Sequence, residues 1–220
     1  MSDDLKKQAA LAALEEIRDG MIVGLGSGST AAIFIRELGK AGLKVLGVPS
    51  SQESARIAEE VGVSLTTFKD HPQLDITIDG ADEVSPQLDL IKGRGGALVR
   101  EKIVAHASKR VVIIVDESKL VDRLGSRTAI PVEVIPLAVP RVLIQLGNAR
   151  VRERNGQLFV SDNGNALLDW NHGAIEDTAG LEKQLKAMTG VVDSGIFAGV
   201  ASCVIVAGSA GVRKLYRSSM

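Results

Sequence analysis

Three carboxylates, Asp79, Asp82 and Glu83, crowd the stretch "DITIDGADEV" directly after a short apolar run. Acids at that spacing repel one another unless solvent, cations or a chemical task compensates. A second stretch, "IKGRGGALVREK", sets Lys92 and Arg94 among glycines Gly93 and Gly95, just ahead of a helical pattern. Cations, free backbone N–H groups and a positive helix end thus fall in one place. Within that helix Glu101 has Ala97, Leu98, Val104 and Ala105 one turn before and after it. A carboxylate in an apolar stripe is partly desolvated, which makes it a stronger base and moves it toward the range useful in general-base catalysis. The alternative is a glutamate that reaches solvent at the edge of the stripe. In "GLGSGSTAA", closely spaced glycines, Gly28 among them, lie between a strand and a helix while Ser27, Ser29 and Thr30 add hydroxyls. That composition suits an oxyanion such as a phosphate, with a turn made purely for packing as the alternative. "VDESKLVDRLG" places Asp116 and Lys119 after another apolar run, where a solvated turn is the competing reading.

Other chemistries fit less well. Gly26-x-Gly28-x-x-Ala31 matches the loose dinucleotide fingerprint, but the next strand ends "GVPSS" without the acid that would hold a ribose hydroxyl. A monophosphate therefore fits better than a dinucleotide. His71, His106 and His172 have no ligand-like spacing, and no Gly-x-Ser-x-Gly elbow is present. Cys203, the one cysteine, reads as a small buried apolar residue and excludes an intrachain disulfide. With 26 basic and 27 acidic residues there is no basic excess for nucleic acid, and 3% aromatics is too few for a base-stacking surface. No apolar run approaches the roughly 18 residues of a membrane span. The acidic, amphipathic start lacks a secretory layout. A soluble cytoplasmic protein is expected.

Helices are predicted over residues 4–18, over "STAAIFIRELGKAG" with Ser29 or Thr30 as N-cap, over "QESARIAEEVG" and over "GGALVREKIVAHA". Between them "MIVGLG", "LKVLGVPSS", "LDITID" and "RVVIIVDES" read as strands. Apolar strands alternating with helices indicate a parallel sheet covered on both faces, with ligands at its carboxyl edge. The texture changes after about Arg127. "PVEVIP", a helix in "PLAVPRVLIQLG", alternating strands around Asn155-Gly156, a helix in "TAGLEKQLKAMTG" and the strand "VVDSGIF" give the order of a split β-α-β unit. "SCVIVAG" and "VRKLYR" return the chain to the first sheet. "NGNALLDW", with Trp170, reads as core and turn.

Taken together, "GLGSGSTAA", "IDGADEV", "IKGRGGALVREK", "VDESKLVDRLG" followed by "PVEVIP", and "DNGNALLD" resemble ribose-5-phosphate isomerase of the A type, in order, from Leu5 to about Gly208. The resemblance implies an α/β fold: a Rossmann-like parallel-sheet domain at 1–127 and 203–220, and a smaller inserted α+β, ferredoxin-like domain at 128–202. It implies interconversion of D-ribose 5-phosphate and D-ribulose 5-phosphate in the non-oxidative pentose phosphate pathway, with no metal or organic cofactor and a homodimer or tetramer. By the same resemblance Glu101 is the general base. Asp79, Asp82 and Lys92 are catalytic; Ser27, Gly28, Ser29, Thr30, Gly80, Ala81, Gly93, Arg94, Gly95 and Lys119 join Asp79, Asp82 and Lys92 around the substrate. Glu83 is a solvated or structural neighbour. Ser27 replaces the threonine of some members and Arg94 the glycine of others. The rivals are a non-catalytic sugar-phosphate sensor and a coenzyme A transferase of the same fold. The absence of a helix-turn-helix extension and the presence of Glu101 speak against the first; a transferase needs a nucleophilic Glu and usually a longer chain.

Overall fold

The computed structural model describes residues 2–217. The chain begins α1 (Ser2–Leu14), β1 (Ile22–Leu25), α2 (Ser29–Ala41), β2 (Leu46–Pro49), α3 (Gln52–Glu60), β3 (Ser64–Leu65) and β4 (Ile76–Asp79). Two short strands, β5 (Glu83–Val84) and β6 (Leu90–Ile91), precede α4 (Leu98–His106) and β7 (Val111–Asp116). Then come β8 (Ile130–Val134), α5 (Val139–Leu146), β9 (Ala149–Val151), β10 (Glu153–Arg154), β11 (Gln157–Leu158) and β12 (Ala166–Trp170). The remainder is α6 (Thr178–Ala187), β13 (Val191–Ser194), β14 (Ile196–Phe197), β15 (Cys203–Gly208) and β16 (Gly211–Tyr216).

Tertiary contacts divide the chain into two units. The first holds the residues up to Ala81, Arg100–Lys119 and those from Val200 on; the second holds Asp82–Val99 and Leu120–Gly199. This division differs from the boundaries at 127/128 and 202/203 expected from sequence. Residues 82–99 lie between two strands of the first sheet, yet β5 and β6 pair with β14 in a three-stranded sheet of their own.

The first unit carries a seven-stranded sheet of order β16-β15-β7-β4-β1-β2-β3, parallel except for β16. All six residues of β7 are buried, as a strand covered on both faces requires. Phe34, Ile35 and Leu38 of α2 and Ala9, Ala10 and Ala13 of α1 pack with Ile78, Ile114 and Ile205 of the sheet. Helix α1 ends earlier than its periodicity suggests, because Glu16 and Ile17 close tight turns onto Ala13 and Leu14.

In the second unit β8, β9, β12 and β13 form an antiparallel sheet of order β13-β8-β12-β9, with α5 following β8 and α6 preceding β13. This is the split β-α-β arrangement anticipated from the element order. Asn155 (φ 55°) and Gly156 (φ 73°) form the two-residue connection of β10 to β11, both on the positive side that a twisted hairpin turn needs. The predicted single strand "VVDSGIF" divides at Gly195 into β13 and β14, which serve different sheets. A Cβ at Gly195 would lie 2.1 Å from the Lys92 carbonyl oxygen, so this crossing point admits only glycine.

Glu16 ties three elements of the first unit together, accepting from Lys214 of β16 (2.6 Å) and from Arg110 just before β7 (2.9 Å). The Lys214 hydrogen bond, helped by Arg110, holds the Glu16 carboxyl below its ordinary 4.5. A carboxyl depressed on folding adds stability above its unfolded value, and that stability is lost as pH falls through the lower folded value. With the cluster worth about 1 kcal/mol, Glu16→Gln is expected to lower Tm by about 2–4 °C at neutral pH. Melting curves of the two proteins should converge in acid, below the ordinary carboxyl range; a gap that persists there would contradict the assignment.

Candidate functional site

Strand order reverses between β1 and β4: from β1 the chain builds outward through β2 and β3, and from β4 it builds the other way through β7 and β15. Loops leaving the carboxyl ends of such a pair diverge and open a crevice. The "GLGSGSTAA" loop and Asp79 occupy this point. Gly26 N–H donates to the Ile78 carbonyl (3.0 Å), while Ser27 N–H (3.0 Å) and Gly80 N–H (2.7 Å) both donate to Asp79 Oδ1. Asp79 is 2% exposed. The approach depends on Gly26, where a Cβ would stand 2.2 Å from that same oxygen.

Gly28, not Ser29 or Thr30, is the N-cap of α2. Its φ of 95° suits glycine, and no side chain caps the helix end. The first-turn N–H groups are therefore not taken by a side-chain cap, no acid lies in that turn, and the end of the helix dipole favours an anion. The Ser27 hydroxyl is 2.8 Å from those of both Ser50 and Ser51, so it is engaged within the protein. Ser51 in turn caps α3 in a reciprocal box with Ser54. Beside the loop a cavity of about 250 Å³ opens towards Arg36 of α2 and Glu53 of α3.

Helix α4 carries Glu101 at 4% exposure, on the face shared by the buried Leu98, Val104 and Ala105. It is seated through Val104, whose Cγ1 would come within 2.6 Å of a Cβ at Gly24 in β1. Thr77 of β4 adds a hydroxyl pair with Ser108 (2.6 Å), which itself donates to the Val104 carbonyl. Buried charges of this kind persist only where hydrogen bonding or function supports them. Lys119 ends a short turn after β7, and Asp116 accepts from the Ser118 N–H (3.0 Å) and hydroxyl.

In the second unit Asp82 Oδ2 accepts from the Arg94 N–H (3.0 Å). Lys92 is 3% exposed, its ammonium 5.6 Å from the Phe197 ring centre and its N–H donating to the Gly195 carbonyl (2.8 Å). Gly93 (φ 98°) shapes the turn that follows. Glu83 is 1% exposed, which removes the solvated reading. It accepts backbone N–H groups from Gly125 (2.6 Å), Arg127 (2.8 Å) and Thr128 (2.7 Å), a structural anchor for that loop. Among the described residues no group of three or more His, Cys, Asp or Glu side chains is placed to hold a metal ion.

The family model of ribose 5-phosphate isomerase A (phosphoriboisomerase A) matches residues 46–211. The chain belongs to this family. Ribose-5-phosphate isomerase A of Rhodopseudomonas palustris (strain HaA2) is 48% identical, with 98% of this chain and 99% of the relative aligned. That of Gloeobacter violaceus is 48% identical over 99% and 98%. Among solved structures, a D-ribose-5-phosphate isomerase in complex with phospho-erythronic acid superposes with a TM-score of 0.96 at 39% identity, covering 99% of this chain and all of that one (100%). Ribose 5-phosphate isomerase A of Methanocaldococcus jannaschii gives 0.92 at 42% identity, over 97% and 98%. Membership makes the chain an isomerase of pentose phosphates.

Several residues that support the candidate site carried no signal in the sequence. Ser50 and Ser51 hold Ser27, Arg152 bonds to the carbonyls of Gly93 and Arg94, and Asp169 pairs with Arg152. The nearest signal was the stretch "NGNALLDW", which contains Asp169 but reads as core and turn. Gly26→Ala forces its Cβ into Asp79 and should destabilise the protein by about 1–3 kcal/mol, read as a shift of the urea midpoint. Gly80→Ala, whose Cβ would meet nothing closer than 3.9 Å, should be neutral or slightly stabilising. Equal midpoints for the two variants would contradict the close approach at Gly26.

Proposed function

We propose that the chain interconverts D-ribose 5-phosphate and D-ribulose 5-phosphate, with Glu101 as the base that moves a proton between C2 and C1. The observation that carries this is a glutamate 4% exposed on an apolar helix face, in a chain aligned end to end with ribose-5-phosphate isomerases. In the open-chain aldose the Glu101 carboxylate takes the C2 proton. The C–H electron pair becomes the C1–C2 double bond, and the carbonyl oxygen at C1 becomes an oxyanion. The resulting enediolate is stabilised by the Lys92 ammonium and loop N–H groups. Glu101 then returns the proton to C1 while the C2 hydroxyl gives up its own proton and becomes the ketone. That proton passes by way of an Asp carboxylate to the O1 oxyanion, which becomes the C1 hydroxyl. Asp79 and Asp82 handle the hydroxyl protons, including those of ring opening. The Gly26–Thr30 loop and the α2 N-terminus take the phosphate, and Gly80, Ala81, Gly93, Arg94, Gly95 and Lys119 complete substrate binding. The solved relative bound to phospho-erythronic acid supports the reading, since a carboxylate next to a hydroxylated, phosphorylated chain has the planar, anionic form of an enediolate.

A direct assay of ribose 5-phosphate turnover tests the reaction, and its absence would overturn it. Glu101→Gln keeps size but cannot accept a carbon-bound proton. It should lower kcat by about 10²–10⁴-fold, or roughly 3–5.5 kcal/mol of barrier, with KM moved little. A folded variant with kcat within about threefold of the parent would move the base elsewhere. The phosphate supplies binding energy remote from the reacting carbons, so free ribose should be turned over far less efficiently than its 5-phosphate. Comparable kcat/KM for the two sugars would contradict the role given to the Gly26–Thr30 loop.

A further inference from the structure

Arg152 lies between β9 and β10, and its guanidinium points back at a loop almost sixty residues earlier in the chain. Its Nε donates to both oxygens of Asp169 (3.2 and 3.1 Å), and Nη2 donates to the same carboxylate. Nη1 donates to two successive carbonyls, those of Gly93 (2.9 Å) and Arg94 (3.0 Å). Both partners are largely buried, with side-chain exposures of 11% for Arg152 and 17% for Asp169. The Arg152 N–H donates to the Leu167 carbonyl (2.8 Å), so the backbone carrying the guanidinium is itself fixed to β12.

On the loop side, the Gly93–Arg94 peptide unit stands between two charged groups: its N–H, that of Arg94, donates to Asp82 Oδ2, and its carbonyl, that of Gly93, accepts from Arg152. The neighbouring residues add a grip of their own. Phe159 packs where a Cβ at Gly96 would come within 2.3 Å of its ring, and Arg154, stacked 4.4 Å from the Phe159 ring centre, reaches the Gly95 carbonyl at 3.4 Å. A planar fork can serve a carboxylate on one edge and two carbonyls on another; a single ammonium cannot.

We propose that Arg152, oriented by Asp169, is a positioning residue for the reaction, setting the Lys92–Gly95 loop and, through Arg94, the Asp82 carboxylate. This rests on the isomerase reading above. Misplacement of reacting groups by about 1 Å costs on the order of 10²-fold, so Arg152→Met should lower kcat by about that factor, with KM changed far less. Free guanidinium, well below denaturing concentration, should restore part of the lost rate. Independently of any turnover, the Arg94 amide should exchange with deuterium at least about tenfold faster once its loop is released.

A folded Arg152→Met variant with parental kcat and parental exchange at Arg94 would overturn the proposal. So would a slow variant whose Arg94 exchange is unchanged, because the loss would not pass through the loop. If Arg152→Met does not fold, Arg152→Lys carries the same two readings with the charge retained. If the parent does not turn over ribose 5-phosphate, the isomerase reading fails by itself, and exchange at Arg94 still decides whether Arg152 sets the loop.

Discussion

A carboxylate buried at a strand end must find hydrogen-bond donors, and in this chain the donors are backbone N–H groups, most of them on loops that arrive from elsewhere. Asp79 receives Ser27 and Gly80, Asp82 receives Arg94, and Glu83 receives Gly125, Arg127 and Thr128. Each acid thus fixes the path of a different loop. Charge-assisted bonds of this kind are about twice as strong as neutral ones, and the buried Asp79 and Glu83 left without them would carry a large desolvation cost. The crowding of acids in "DITIDGADEV" is tolerated because the side chains are divided among separate sets of donors.

The same constraint explains the glycines around it. A loop whose N–H groups must reach a carboxylate on the neighbouring strand cannot also carry side chains on the approaching face. Gly26 meets Asp79 in this way, and Gly24, one turn of the pleat earlier, makes room for Thr77 and Val104. The β1 end is therefore shaped by what sits on β4 and α4. Glycines that read as a phosphate loop in sequence have a packing role, at the point where strand order reverses.

This division accounts for what could be read from the sequence. Periodic features were legible: the buried run of β7, the apolar neighbours of Glu101, the Asn155-Gly156 turn and the split β-α-β order. Features that depend on a backbone donor or acceptor far along the chain were not. Nothing in the residues around Glu83 announces N–H groups beyond residue 124, so its structural role was indistinguishable from a solvated one. Arg152 was likewise silent, because its partners on the loop are carbonyls, which every residue has. The N-cap of α2 was misplaced for a related reason: Ser29 and Thr30 have the usual capping side chains, but Gly28 alone takes the positive φ at which the loop turns. The assignment of residues 82–99 required strand pairing with β14, more than a hundred residues downstream.

Two of the stretches on which the resemblance to the family rested, "PVEVIP" and "DNGNALLD", have a structural part to play. Glu133 of the first is fully buried and accepts on one oxygen from Ser161 (3.0 Å), Asn163 (3.0 Å) and Asn165 (2.8 Å), residues in or just ahead of the second. These bonds fix the turn that leads into β12, and β12 carries Asp169. The link from Glu133 to β12, from Asp169 to Arg152 and from Arg152 to the Gly93 and Arg94 carbonyls is continuous in hydrogen bonds and covalent chain. A buried acid with three donors resists displacement, because breaking any one of them leaves charge less compensated in a medium of low dielectric. The hydrogen-bonded frame of the second unit's sheet therefore extends to the Gly93–Arg94 backbone through side chains far from it in sequence.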